Sequence, residues 1–413
     1  LGGGAGFDRS AVPFGIMRAI AAAIDPWRRL SGLPPPVWVT CATTFINRVG
    51  TMALPFLALY LTEERHYSES RAGIAVACYG FVGFLTAPYA GRLTDRFGPV
   101  RLMRWSLVLA GLAMFAVPFM SAYPLVLISV ALWAAFGEAV RPGSVALLTD
   151  SVPTDQKRSA ISLYRTAVNL GSSVGPALGG LLTAVSYFWV FAVDATTSLL
   201  AALFLAVSVR SMPAHVPQAD RPASRAVRDR RLWLYLIALF PVMVVFFQHT
   251  SSMPLFLVRN LGLAPSVYGL LFTLNTLIVL TLEIPLTAHT AHWPYRTTLP
   301  LGALLVTAGF GLLVFCQGAW SVAATVVVWT FGEMLLLPTV AAYLTDLAPS
   351  GSSGEYVGIY WSMMSVAMMA APSIGTTVLQ HLGPTALWTG TLAVGALSVG
   401  MLAMLPPPEK SAI

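Results

Sequence analysis

Trp133-Ala134-Ala135-Phe136-Gly137-Glu138-Ala139-Val140-Arg141-Pro142 is answered, one half-length later, by Trp329-Thr330-Phe331-Gly332-Glu333-Met334-Leu335-Leu336-Leu337-Pro338. The likeness runs on: Ala146, Leu148, Thr149, Asp150, Pro153, Tyr164, Pro176 and Gly179 return as Ala342, Leu344, Thr345, Asp346, Pro349, Tyr360, Pro372 and Gly375. These pairs, with Trp133/Trp329 and Pro142/Pro338, are all 196 residues apart, while Phe-Gly-Glu slips by one. Leu and Ala matches are cheap in so apolar a chain, but Trp, Pro, Asp and Tyr matches are not. The chain is therefore a duplication, and a fixed period of this kind marks a repeat architecture.

Composition says where the repeat lives. Of 413 residues 56% are hydrophobic and 10% charged, with mean hydropathy +0.74, far outside the range of a soluble domain. Apolar runs long enough to cross about 30 Å of hydrocarbon fall near 37–61, 72–91, 102–121, 123–148, 159–184, 187–209, 232–258, 266–288, 297–316, 319–344, 356–380 and 384–406. The expected fold is an all-α membrane protein of twelve helices in two pseudo-symmetric six-helix bundles, 37–209 and 232–406. A polar, Pro- and Arg-rich linker, 210–231, separates them, and 407–413 is a tail. In 1–36, Ile16, Ile20, Ile24 and Trp27 recur at helical spacing beside Arg18, Arg28 and Arg29, which suits either a short interfacial helix or a plain linker.

The 24 Lys and Arg sort by side. Arg92, Arg96, Arg101, Arg104, Lys157, Arg158, the cluster Arg221, Arg225, Arg228, Arg230 and Arg231, and Arg296 fall on one side with the terminal segments. Only Arg65, Arg71 and Arg259 fall on the other. The positive excess predicts that both termini are cytoplasmic. The net charge of +7 is thus read as inner loops meeting lipid headgroups, with no nucleic-acid partner implied. Cys41, Cys78 and Cys316 all fall inside spans and imply neither a disulfide framework nor a metal site. No nucleotide-binding glycine loop and no nucleophile–base pair is evident, so neither a cofactor nor enzyme chemistry is expected. A duplicated bundle without a place for ATP points to a secondary transporter, with its site near the midplane between the repeats.

Between the second and third spans stands Gly91-Arg92-Leu93-Thr94-Asp95-Arg96-Phe97-Gly98-Pro99-Val100-Arg101. This loop closely resembles that of the major facilitator superfamily, which has Gly, then Asp-Arg, then Gly and basic residues. The resemblance implies a latch on the outward-facing state, made by Gly91, Asp95, Arg96, Gly98 and Arg101. Pro99 departs from it, standing where a basic residue is usual. The fifth span holds Gly171-Ser172-Ser173-Val174-Gly175-Pro176-Ala177-Leu178-Gly179-Gly180, resembling the motif of drug/proton antiporters in that superfamily. Small residues permit close helix approach, so Gly171, Gly175, Pro176 and Gly180 are candidate packing residues. A second, partial resemblance is to proton-dependent oligopeptide transporters. It rests on Arg141-Pro142, Asn169-Leu170-Gly171-Ser172, Gln248 with Ser251-Ser252, Leu274-Asn275, and Gly332-Glu333-Met334-Leu335 with Pro338. In the first span the chain keeps Arg48 of that family's signature but lacks its two acids.

Charge inside the bilayer costs a few kcal/mol or more and is by default functional. Glu138 and Arg141 are three apart on one helix face and are expected to pair. Glu333 is the counterpart of Glu138, with Leu336 and Leu337 in place of an arginine, so it is the leading proton carrier, followed by Glu138 and Glu283. Candidate substrate contacts are Arg48, Asn47, Arg141, Gln248, Asn275, Glu333 and Tyr360. Asp194 and Arg165 are placed near span ends, where pairing with loops is expected. The expected partners are a small-molecule substrate, protons and membrane lipids, and the chain is expected to be a monomer. The function expected is proton-coupled export of amphipathic or cationic small molecules, with peptide symport as the rival.

Overall fold

The computed structural model describes residues 32–153, 156–209, 226–290, 292–349 and 353–406. The expected interfacial helix, the linker up to 225 and the tail from 407 lie outside the described residues, as do the side chains of Gly91 and Asp95. Everything regular within them is helical. Nine helices among these residues are long and apolar enough to cross a membrane. One of the nine, Glu355–Ala403, is broken at Gly383 (φ 83, ψ 173). Glu69–Phe97 and Lys157–Leu182 add 29 and 26 residues of helix, so each apolar run read from the sequence lies on a helical segment. Spans are numbered below by those runs.

Local chemistry sets the helix ends. Ser68, Ser186 and Asp229 accept backbone N–H groups of Arg71, Phe188 and Arg231 at the starts of spans two, six and seven. Span two stops at Gly98, whose φ of 81 favours glycine, and Pro99 opens span three as its first residue. That explains Pro99: the turn is one residue long, and the next position needs a helix starter.

Spans one and seven are discontinuous. The first runs Pro35–Val49, breaks, resumes at Ala53–Leu59 and ends in a π turn, Tyr60–Glu64. The seventh runs Arg230–Phe246, tightens into a 3-10 turn at Phe247–Thr250, resumes at Ser252–Leu255 and ends in a π turn, Phe256–Asn260. The two π turns are 196 residues apart, so the duplication persists in the backbone where the side chains no longer match. Large apolar side chains such as Trp105, Leu203 and Trp320 face outward, as a lipid-bathed surface requires.

The bundles meet at the end that carries Arg65 and Arg259. Span two packs on span eleven and span five on span eight. A Cβ on Gly73 would lie 2.7 Å from the Pro372 carbonyl oxygen, and one on Gly269 would lie 2.5 Å from that of Pro176. Gly73/Gly269 and Pro176/Pro372 are both repeat pairs, so the two contacts are one contact written twice. Ser70 donates its N–H to Gln380 across the same seam, and Phe56 meets Tyr268 edge-on at 5.3 Å.

Candidate functional site

Glu333 of span ten receives the Asn275 amide of span eight at 3.0 Å, and the same amide nitrogen reaches Thr330 Oγ1 at 3.0 Å. Thr330 passes its own proton to the Val326 carbonyl, so its oxygen is free to accept. Glu283 lies on span eight, the helix that also carries Asn275. Among the described residues no Lys, Arg or His forms an ion pair with Glu333. This carboxylate has a hydrogen-bond donor but, among the described residues, no charge partner.

On the other bundle the expected Glu138–Arg141 pair is not formed. Arg141 is exposed, and its guanidinium lies 5.1 Å from the ring of Trp361 on span eleven. Glu138 instead lays its stem against Gly83 of span two. A spacing of three puts both on one face, but the arginine's reach carries it across to an aromatic partner in the opposite bundle. Arg48 is partly buried beside span five, and its Nε has no hydrogen-bond partner among the described residues.

Three further candidates have neighbours within their own halves. The Asn47 amide donates to Ser198 of span six at 3.0 Å. Gln248 is buried between spans seven and eleven, with its amide on the Ala371 carbonyl. Tyr360 is also buried, with its ring 5.5 Å from that of Trp361. In each case the polar side chain lies beside a neighbour within its own half.

Asp194 is the residue that sequence reasoning misjudged most. It lies well inside span six, 4% exposed, and its Oδ2 accepts the N–H groups of Met52 and Ala53 at 3.1 and 2.9 Å. It therefore caps the resumed helix of span one from a distance of 141 residues. Thr197 Oγ1 fills the space above Gly50, so the break is packed as well as capped. Arg165 is exposed on span five, and Asp346 accepts the Tyr295 hydroxyl at 2.6 Å.

The glycine run of span five seats that helix on span one. Cβ atoms on Gly171 and Gly175 would lie 2.6 Å from Arg48 Cβ and 2.8 Å from the Thr51 carbonyl oxygen, while Gly180 faces Gly269 Cα at 3.1 Å. Pro176 lies inside the same helix. In the loop after span two, Arg96 and Arg101 are exposed, with the Arg96 guanidinium 5.4 Å from the Phe97 ring.

A family model described as Major Facilitator Superfamily matches residues 40–264 and 249–413. Among curated proteins, the uncharacterized MFS-type transporter YqjV of Bacillus subtilis (strain 168) is 28% identical over 348 residues, 80% of this chain and 83% of that one. A Na(+), Li(+), K(+)/H(+) antiporter of Planococcus maritimus is 24% identical over 85% of this chain and 91% of its own length. Among solved structures, a mutant of the peptide transporter POT in complex with sulfate superposes with a TM-score of 0.75 at 14% identity, covering 93% of this chain and 100% of that one. That likeness concerns the fold.

Proposed function

Because the chain belongs to the major facilitator superfamily, a multi-pass family of membrane transporters, we propose that it is a proton-coupled exporter of amphipathic or cationic small molecules. The bundles 37–209 and 232–406 rock about a central site, in an inner membrane with both termini cytoplasmic. The seam at the Arg65 and Arg259 end is then the closed outer side, and the conformation faces inward.

The observation that carries this reading is the lack, among the described residues, of a charge partner at Glu333. Held by Asn275 at 3.0 Å and by no base among the described residues, its carboxylate has room for a proton or for a cationic cargo. Competition between the two for one carboxylate couples export to proton entry without a second site. The glycine run of span five supports the antiport branch by its resemblance to the drug/proton antiporter motif, and its end at Pro176 and Gly180 meets Gly269 across the seam. The antiporter among the relatives fits the same direction of exchange.

Peptide symport is the second reading, favoured by Arg141, a cation on the bundle opposite Glu333 that could hold a carboxylate terminus. Proteoliposomes decide the first. Glu333→Gln is expected to abolish gradient-driven transport while exchange between preloaded and external substrate continues. Proton-driven transport at the wild-type rate in that variant removes Glu333 from the mechanism.

A further inference from the structure

The breaks in spans one and seven are filled by different chemistry. In the first copy a Cβ on Gly179 would lie 2.8 Å from Met52 Cβ and 2.8 Å from Phe56 Cε2, so the contact is wholly apolar. Adding 196 to each position gives Gln248, Ser252 and Gly375. There a Cβ would lie 1.9 Å from Gln248 Oε1 and 2.3 Å from Ser252 Oγ. Two oxygens thus pack side by side against one glycine of span eleven, where the first copy packs a methylene and a ring edge against span five.

These oxygens are buried without partners. Gln248, Ser251 and Ser252 are 4%, 0% and 0% exposed, and Gln248 Oε1 and both serine hydroxyls lack a hydrogen bond among the described residues. The Gln248 amide nitrogen donates to the Ala371 carbonyl at 3.1 Å, which determines that the oxygen is the end turned to Gly375. An amide oxygen only accepts. Left unpaired in a buried place, such a group is costly, so a donor or a cation is called for.

The backbone adds to the same field. The helix Arg230–Phe246 and its 3-10 extension end at Ser251, with φ −145 and ψ −63, so the break sets the carbonyl end of a half-helix in the same short stretch as Gln248 and Ser252. That end carries partial negative charge. Neutral amide and hydroxyl oxygens beside an unwound helix suit a hard cation, as in other discontinuous membrane helices. None of the three side chains is an acid, so the site has no formal charge to offset the desolvation of a divalent ion.

We propose that the break in span seven binds a monovalent alkali cation of about sodium's size, held by Gln248 Oε1 and Ser252 Oγ with Ser251 beside them. Ser252–Leu255 packs against Ala53–Leu59 of span one at the closed seam, so a bound cation stabilises the closed outer side. This site is separate from Glu333 and does not depend on proton coupling.

The test uses the purified full-length protein in detergent, with thermal melting in NaCl, KCl, LiCl or choline chloride at equal ionic strength, and binding of radiolabelled sodium. Sodium is expected to raise the Tm saturably above choline. Ser252→Ala is expected to weaken that response by about tenfold, the equivalent of one buried polar contact to a charge. Gln248→Glu, which places a charge at the same spot, is expected to strengthen it, and keeps the test decisive should Ser252→Ala fail to fold. Equal melting in sodium and choline, as an ordered water at this spot would give, overturns the proposal. So does a sodium response that is the same in Ser252→Ala or Gln248→Glu as in the wild type.

Discussion

Glu63 and Arg259 hold the same position in the two copies of the duplication, and they bind each other, Nε to Oε1 at 2.8 Å. Repeat-related residues meet only where the pseudo-two-fold axis passes between them. The pair therefore marks that axis at the closed end. The same guanidinium reaches Glu69 at 3.4 Å and donates to the Thr62 carbonyl at 3.0 Å, so one side chain of the second bundle grips the end of span one and the start of span two.

Arg259→Ala is expected to loosen that end. Arg259 and Glu63 are each about one-third exposed, so solvent screens the pair and roughly 0.5–1 kcal/mol is at stake, a two- to fivefold shift in population. The readout is labelling of a cysteine at Trp361 by an impermeant reagent added outside. The rate should rise with Arg259→Ala and return with the exchange Glu63→Arg plus Arg259→Glu. An unchanged rate would mean that the glycine contacts alone hold the seam.

Asp194→Ala should be among the most destabilising single changes in the chain. It strips the acceptor from two buried N–H groups, at about 1–3 kcal/mol each. Asp194→Asn keeps an acceptor oxygen and should lie between that variant and the wild type in a detergent melt. A wild-type Tm for Asp194→Ala would show that Met52 and Ala53 find other acceptors.

Gly175→Ala and Gly269→Ala crowd the helices to a similar degree but with different results. The first presses on the Thr51 carbonyl within one bundle and should lower Tm, at about 1–3 kcal/mol for overpacking. The second presses on the Pro176 carbonyl across the seam and should chiefly raise outside labelling at position 361. Identical profiles for the two variants would refute the division of the glycines into bundle contacts and seam contacts.

Arg141→Ala separates the two transport readings. It removes a cation that lies 5.1 Å from the Trp361 ring, so anionic and zwitterionic ligands should bind more weakly and cationic ones as well or better. Binding measured by thermal shift against di- and tripeptides and against amphipathic cations gives the answer. Loss of peptide affinity supports symport, and undiminished cation binding supports export.

Much of the architecture was legible in one dimension. Hydropathy and helix length set the crossings, because a bilayer imposes nearly the same apolar length on each. The 196-residue period predicted two like halves, and the π turns at Tyr60–Glu64 and Phe256–Asn260 repeat it in the backbone. Gly98 was legible as part of a loop between two spans, and the structure adds that its φ of 81 makes that loop a single-residue turn. The glycines of span five could be read as a contact surface, since small residues in a membrane helix have little other use. What they touch could not be read.

The site shows why. Helical spacing assigned Glu138 and Arg141 to one face, yet a long side chain chooses among all neighbours within reach, and Trp361 lies on another bundle. Asn47, Gln248 and Asp194 were known to be polar groups in apolar spans; that much the residue types determine. Whether each meets substrate, a hydroxyl at 3.0 Å or the open N–H groups of a broken helix depends on which spans become neighbours. The sequence by itself determined the membrane, the duplication and the inventory of buried charge, because these follow from local composition and period. Only the tertiary structure decided the partners, since burying a polar group is tolerable only beside something that satisfies it, and that partner is often more than a hundred residues away.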